Sequence, residues 1–146
     1  MNQEDFPYEV EVTVSHQFRA SHALPMRPEL HTHDWQVEFT VAGLIHPETG
    51  MLCDMLELSD FLKPFIQELD GTNLHEAGVL NQTSQMDEVT RKYPTCDTLA
   101  YHFLKRTKPA LQANPRFRGL RLASIAIRIY EPDGKEPWGS ARIRPT

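Results

Sequence analysis

Three histidines have types and spacing that suit a metal ion. His31 and His33 are two residues apart, so on a strand both side chains point to the same face. His22 lies on the inward-facing parity of the preceding alternating segment, and a hairpin joined across residues 23–30 would bring it beside the pair. Three imidazoles leave the fourth tetrahedral position open, which is typical of catalytic zinc. The spacing therefore predicts a Zn²⁺ site of His22, His31 and His33.

Two alternatives stay open for these residues. The chain has seven histidines, and a His-x-His pair often occurs by chance, so the three could be unrelated. The third histidine, in phase with the other two, favours the metal site. Three imidazoles would also accept divalent ions other than zinc.

Alternating apolar and polar residues predict the strands that position this triad. The alternation runs over residues 8–22 and again over 33–41, which indicates two strands with one buried face each. Near the end of the sequence, residues 120–131 alternate again, and residues 138–144 can pair back on them. The pattern predicts four strands, two at each end of the chain.

Two helices are predicted between these strand pairs. Apolar residues recur at helical spacing over residues 58–69, and Thr95 can cap a second helix. Residues 71–93 carry no sustained period and are predicted to form a long loop. The expected fold is α+β, with a four-stranded antiparallel sheet and two helices on one face (ββααββ).

Composition limits the class of protein. A length of 146 residues predicts one domain, 1–146, and a net charge of -5 offers no general attraction for nucleic acid or anionic membranes. No apolar run is long enough to cross a bilayer, and residues 1–7 do not resemble a secretory signal. A cytoplasmic location is expected, with Cys53 and Cys96 reduced and serving as packing residues.

Six short segments occur in an order typical of one known family. They are Phe18-Arg-Ala-Ser-His22, His31-Thr-His33-Asp-Trp35, Thr49-Gly50-Met-Leu-Cys-Asp54, Leu69-Asp70-Gly71-Thr-Asn73-Leu74, Pro94-Thr95-Cys-Asp97-Thr-Leu99-Ala100 and Ile129-Tyr130-Glu131. Together they resemble the 6-pyruvoyl-tetrahydropterin synthase and 6-carboxy-tetrahydropterin synthase family. The resemblance runs from about Val10 to Glu131.

The resemblance implies a fold, an assembly and an activity. The fold would be the tunnelling fold, in which subunits join their sheets into a barrel and stack as a homohexamer, a dimer of trimers, with active sites between subunits. The activity would be that of a zinc-dependent lyase acting on a dihydropterin such as 7,8-dihydroneopterin triphosphate, whose side-chain hydroxyls bind the zinc. The resemblance also assigns Glu131, Thr95 and Asp97 to substrate binding.

Glu131 is also supported on separate physical grounds as a residue that binds the pterin ring. It follows the parity of Ile125, Ile127 and Ile129, which would aim its carboxylate toward the covered face, where it needs a partner. The amino group and ring N–H of a pterin are two parallel donors that suit a carboxylate. The alternative is that the strand ends at Tyr130 and Glu131 opens a turn.

Two positions depart from the family pattern. Arg27 stands where the family has its proton-removing cysteine, and Gly71 stands where an assisting histidine would follow Asp70. Glu29 could replace the cysteine, since some relatives use glutamate to produce 6-hydroxymethyl-dihydropterin, although in those it stands three residues before the histidine. His75 could replace the missing histidine, or it could be an ordinary polar loop residue.

Three functional hypotheses follow. The first is a lyase in which Glu29, or Asp70 with His75, moves protons. The second is a module that binds zinc and pterin without catalysis, as the substitutions at Arg27 and Gly71 would predict. The third keeps the zinc for hydrolysis of another substrate, with Asp70 as base.

Overall fold

A long antiparallel hairpin is the framework of the molecule. The computed structural model describes residues 8–80 and 84–145. Strand β1 (Val10–Leu24) pairs with β2 (Arg27–Gly43) along almost its whole length. Only Pro25 and Met26 separate the two strands, so the connection is much shorter than the predicted 23–30.

Over residues 8–80 and 84–145 the sheet has five strands and is mixed, whereas a four-stranded antiparallel sheet was predicted. Strand β4 (Arg121–Tyr130) pairs with β2, and β5 (Pro137–Ile143) pairs with β4, both antiparallel. The additional strand is β3 (Thr72–Asn73), which lies parallel to β1 at the opposite edge. Two residues are too few to show an alternating pattern, so no pattern in the sequence indicates β3.

The described part of the chain contains three α-helices, one more than predicted. Helix α1 (Met55–Gln67) begins at the N-cap Asp54, and α3 (Cys96–Ala113) begins at the predicted cap Thr95. Between them lies α2 (Gln85–Lys92), in the region predicted to be a loop. The buried residues of α2 are polar, so this helix has no hydrophobic period from which it could be predicted.

An apolar core lies between the sheet and the helices. Its largest fully buried side chains include Trp35, Phe39 and Phe103. The strand residues that face it have the same parity as His22 and His33, so the histidines continue the core face toward the closed end of the hairpin. Within residues 8–80 and 84–145, no helix is both long and apolar enough to cross a membrane.

Candidate metal centre

The β1–β2 hairpin brings the three predicted histidines together. Its register places His22 directly opposite His31, and His33 follows on the same face of β2. The ring centroids are 4.6 Å apart for His22 and His31, 5.2 Å for His22 and His33, and 4.8 Å for His31 and His33. One ligand atom of each lies within 4.8 Å of the others. The three imidazoles therefore converge on one point.

Backbone carbonyl groups fix the orientation of all three rings. In each, Nδ1 donates a hydrogen bond to a carbonyl oxygen: His22 to Pro94 at 2.7 Å, His31 to Glu29 at 2.9 Å and His33 to Tyr130 at 3.0 Å. A carbonyl can only accept, so the proton is on Nδ1 and each Nε2 has a free lone pair. Metal-binding histidines are commonly held this way.

Burial keeps the inner imidazoles neutral. Burial, with a smaller effect of the neighbouring histidines, lowers the pKa of His22 to about 4. Burial also lowers the pKa of His33. A metal binds the neutral form of imidazole, so protons do not compete for these two rings near neutral pH.

Trp35 forms the floor of the centre. Its side chain is fully buried, and its ring lies edge-on to His22 at 5.1 Å and to His33 at 6.0 Å. Its indole N–H donates to the carbonyl of Ala20 at 3.2 Å, so the polar atom of this buried ring has a partner. His31 is only partly buried, so the centre opens on its side. Three imidazoles with one open side fit zinc in a four-coordinate site.

Comparison with known proteins identifies the family of the chain. A family model described as 6-pyruvoyl tetrahydropterin synthase matches residues 11–136. The chain belongs to this family. A search of curated protein sequences gives no significant match.

Several solved structures share the fold of this chain. The Caenorhabditis elegans 6-pyruvoyl tetrahydropterin synthase is 16% identical, with 95% of this chain and 97% of that chain covered and a TM-score of 0.67. An uncharacterized protein from Wolinella succinogenes is 15% identical, covering 94% and 98%, with a TM-score of 0.63. A Plasmodium vivax 6-pyruvoyltetrahydropterin synthase, described as a glutamate-to-cysteine catalytic residue mutant, is 13% identical, covering 94% and 99%, with a TM-score of 0.55.

Glu29 lies in an irregular part of β2. His22 pairs with His31 and Leu24 with Arg27, so two steps along β1 correspond to four steps along β2. Glu29 sits in this irregular segment with an exposed side chain, while its own carbonyl holds the ring of His31. Irregular pairing often re-aims side chains next to functional sites. The predicted proton acceptor is thus tied through its backbone to a predicted metal ligand.

Trp138 is a residue of the centre that sequence reasoning missed. Its ring lies 4.8 Å from the ring of His33, and 51% of the residue is exposed. The guanidinium carbon of Arg27 lies over the same indole, 5.5 Å from the centroid. The sequence contained one signal for it, since this large aromatic residue precedes the small residues Gly139 and Ser140 in the predicted strand 138–144.

Glu131 follows the end of β4 and is exposed. The strand ends at Tyr130, and the carbonyl of Glu131 accepts a hydrogen bond from Gly134 in the turn that follows. The Glu131 side chain was expected to be covered, but no other part of the described chain covers it. The reason is that the strand ends at Tyr130, so Glu131 no longer follows the parity of Ile125, Ile127 and Ile129. Glu131 still lies near the triad, since its charge opposes the lowering of the His33 pKa.

Thr95 and Asp97 lie at the start of α3. Thr95 forms a capping box with Thr98, accepting from its N–H at 3.2 Å and donating its own N–H to the Thr98 hydroxyl at 2.9 Å. Asp97 is exposed in the first turn. Pro94, directly before the cap, holds His22, so both residues are connected through the backbone to the metal centre.

Asp70 and His75 make structural contacts on either side of β3. Asp70 accepts from the N–H of Arg19 at 2.9 Å and is exposed. His75 accepts from the N–H of Ala23 through Nε2 at 2.9 Å and donates through Nδ1 to the carbonyl of Arg91 at 3.0 Å. Both nitrogens of His75 are thus engaged, and a role in proton transfer would require one of these bonds to open.

The two cysteines pack against the core. Burial raises the pKa of Cys53, and it raises the pKa of Cys96 to about 12. Both are free thiols at the border of the apolar cluster. Their protonated state agrees with the interpretation of both as packing residues.

Proposed function

We propose that this chain binds zinc through His22, His31 and His33 and acts as a lyase on a dihydropterin such as 7,8-dihydroneopterin triphosphate. One observation carries the proposal: each of the three rings donates from Nδ1 to a backbone carbonyl. Three Nε2 lone pairs are thereby left for one ion.

Zinc in this position would supply positive charge that polarises the hydroxyl groups of the pterin side chain. The chain has to hold the ring and move protons. Glu131 is exposed near His33 and can accept from the amino group and ring N–H of the pterin. Thr95 and Asp97, at the helix start that holds His22, complete the proposed substrate-binding set.

Glu29 is the proposed proton acceptor. Its carboxylate is exposed, and its backbone is hydrogen-bonded to a metal ligand, which fixes the distance of the segment from the ion. The description of the Plasmodium vivax relative as a catalytic glutamate mutant supports a glutamate in this role. Release of 6-hydroxymethyl-dihydropterin is the expected outcome. The contacts of Asp70 and His75 favour positioning roles, and proton transfer by these two residues stays a prediction.

A pterin-binding module without catalysis is the second candidate. Its support is that Arg27 and Gly71 stand at the two proton-handling positions and that both nitrogens of His75 are engaged. Zinc hydrolysis with Asp70 as base has weaker support, because the Asp70 carboxylate already accepts from the N–H of Arg19.

The proposal includes the assembly and the location. We expect a homohexamer in the cytoplasm, formed as a dimer of trimers through the sheet edges. Strand β5 lies at one edge with most of its residues exposed, and the other edge has only the two-residue β3 beside β1. An open edge is a ready template for pairing with another subunit. Sedimentation velocity should give a mass near six chains, and a stable monomer would contradict this part.

Incubation with substrate tests the function. The zinc-loaded protein is mixed with 7,8-dihydroneopterin triphosphate, and bound and released pterins are identified by mass spectrometry. Formation of 6-hydroxymethyl-dihydropterin supports the lyase with Glu29, and a pyruvoyl or carboxy product supports the ordinary family reaction. Binding without turnover supports the module, and absence of pterin binding overturns both.

A further inference from the structure

An arginine and a tryptophan extend the metal centre on its open side. The guanidinium of Arg27 stacks over the indole of Trp138, and that indole lies edge-on to His33 with an interplanar angle of 75°. One aromatic ring thus separates a positive charge from a predicted metal ligand. Two strands meet there, namely β2, which carries both Arg27 and the histidine pair, and β5, which carries Trp138.

The positive charge of Arg27 is not neutralised by an ion pair with a described carboxylate, whereas the charges of five other arginines are. Each of five arginines forms an ion pair with a carboxylate: Arg19, Arg106, Arg116, Arg121 and Arg128. Within residues 8–80 and 84–145, no carboxylate pairs with Arg27. Glu29 and Glu131 lie in the same neighbourhood, but neither forms such a pair.

The guanidinium lies beside the metal centre, because the indole on which it stacks contacts the ring of His33. Stacking on the indole restricts the side chain, so less conformational freedom is lost when a ligand binds. A planar guanidinium with free N–H groups suits a phosphate or carboxylate, which it can hold with two parallel hydrogen bonds.

We propose that Arg27, stacked on Trp138, binds an anionic group, a phosphate or a carboxylate, of the ligand that the metal centre holds. The identity of that ligand as a pterin rests on the proposed function, whereas the anion site itself does not. The position where the family has a base is then a binding position in this chain. A phosphorylated dihydropterin would be preferred over the same pterin without phosphate.

Anion binding can be followed without activity. The probes are phenyl phosphate and benzoate, added to the zinc-loaded protein, and the signals are the two indole N–H resonances in NMR spectra. Trp35 is fully buried and Trp138 is half exposed, so the two can be distinguished with the variant Trp138→Phe. We expect one or both probes to shift the Trp138 resonance, and the preferred probe identifies the chemistry of the group.

Matched variants assign the effect to Arg27. Arg27→Gln should weaken binding of the preferred probe about 10-fold to 100-fold. Arg27→Lys should restore part of the affinity, because it keeps the charge and loses the planar contact. Arg118→Gln makes the same charge change at a residue that lines one cavity with Gly43, at the far end of the hairpin, and should leave affinity unchanged. Equal affinity of wild type and Arg27→Gln, or an equal loss in Arg118→Gln, would overturn the proposal, as would absence of binding by either probe.

A second pair of ligands separates this inference from the proposed function. Affinities for 7,8-dihydroneopterin triphosphate and 7,8-dihydroneopterin are compared in wild type and Arg27→Gln. The inference expects the preference for the triphosphate to shrink in the variant, and an unchanged preference overturns it. If neither pterin binds wild type while the Arg27-dependent probe does, the pterin function fails and the anion site stands.

Discussion

The Nδ1 atom of His22 donates a hydrogen bond of 2.7 Å to the carbonyl oxygen of Pro94. This bond joins the end of β1 to the start of α3, because Pro94 directly precedes the cap residue of that helix. The start of α3 therefore orients a predicted metal ligand. Zinc binding and the stability of this junction should depend on each other.

Zinc should stabilise the folded protein through the triad. At free zinc about 100-fold above its dissociation constant, the gain is about 2.7 kcal/mol, which raises the Tm by roughly 5 to 10 °C. The gain should disappear in His31→Ala, since His31 is partly exposed and its loss leaves no large cavity. Calorimetry with zinc and with a chelator measures it.

The exposed His46 provides the control for this experiment. His46→Ala removes a histidine outside the cluster and should keep the full zinc-dependent rise in Tm, with one zinc per chain by elemental analysis. Equal stabilisation of wild type and His31→Ala would contradict the metal centre.

Glu29→Gln should lower the turnover number about 100-fold and leave pterin affinity close to that of wild type, because the amide keeps the shape and cannot accept the proton. Single-turnover kinetics measure the rate, and fluorescence titration measures the affinity. Glu48→Gln, at an exposed glutamate in the turn after β2, should change neither. Unchanged turnover in Glu29→Gln would exclude Glu29 as the essential base.

Thr95→Ala should lower the free energy of unfolding by about 1 kcal/mol, since it removes the side-chain oxygen that accepts from the N–H of Thr98. It should also weaken zinc binding, because the loosened helix start carries the carbonyl that orients His22. Chemical denaturation with and without zinc separates the two effects. A loss of stability with unchanged zinc affinity would show that the junction and the metal centre are independent.

His102 should make stability depend on pH. It is 4% exposed on α3, and burial, reinforced by the charge of Arg106, lowers its pKa to about 4. The unfolded chain, with a pKa of about 6.5, binds more protons between these values, so stability is present above about pH 6.5 and is lost as the pH falls toward 4.

Between pH 7 and pH 5 the expected contribution of His102 is about 2 kcal/mol. Urea denaturation of zinc-free protein at both pH values should show a weaker pH dependence in His102→Leu by that amount. His46→Gln, at an exposed histidine, should retain the pH dependence of wild type. Identical pH dependence in wild type and His102→Leu would contradict this role.

Several parts of the fold could be predicted because their residues carry a periodic signal. Alternation predicted the hairpin strands and the two C-terminal strands, and the cap Thr95 predicted where α3 begins. The strand β3 and the helix α2 could not be predicted, because one is two residues long and the other buries polar residues. Their positions depend on contacts with β1 and α3 that no local pattern records.

The sequence by itself determined that His31 and His33 share one face, because side chains two residues apart on a strand point the same way. The register of the hairpin places His22 opposite His31. Only the tertiary structure decided which atoms they present to an ion, since the carbonyls of Pro94, Glu29 and Tyr130 orient the rings. Every residue has a carbonyl group, so residue type gives no sign of such a partner. The placement of Trp138 against His33 and Arg27 likewise depends on the pairing of distant strands, which residue type alone does not specify.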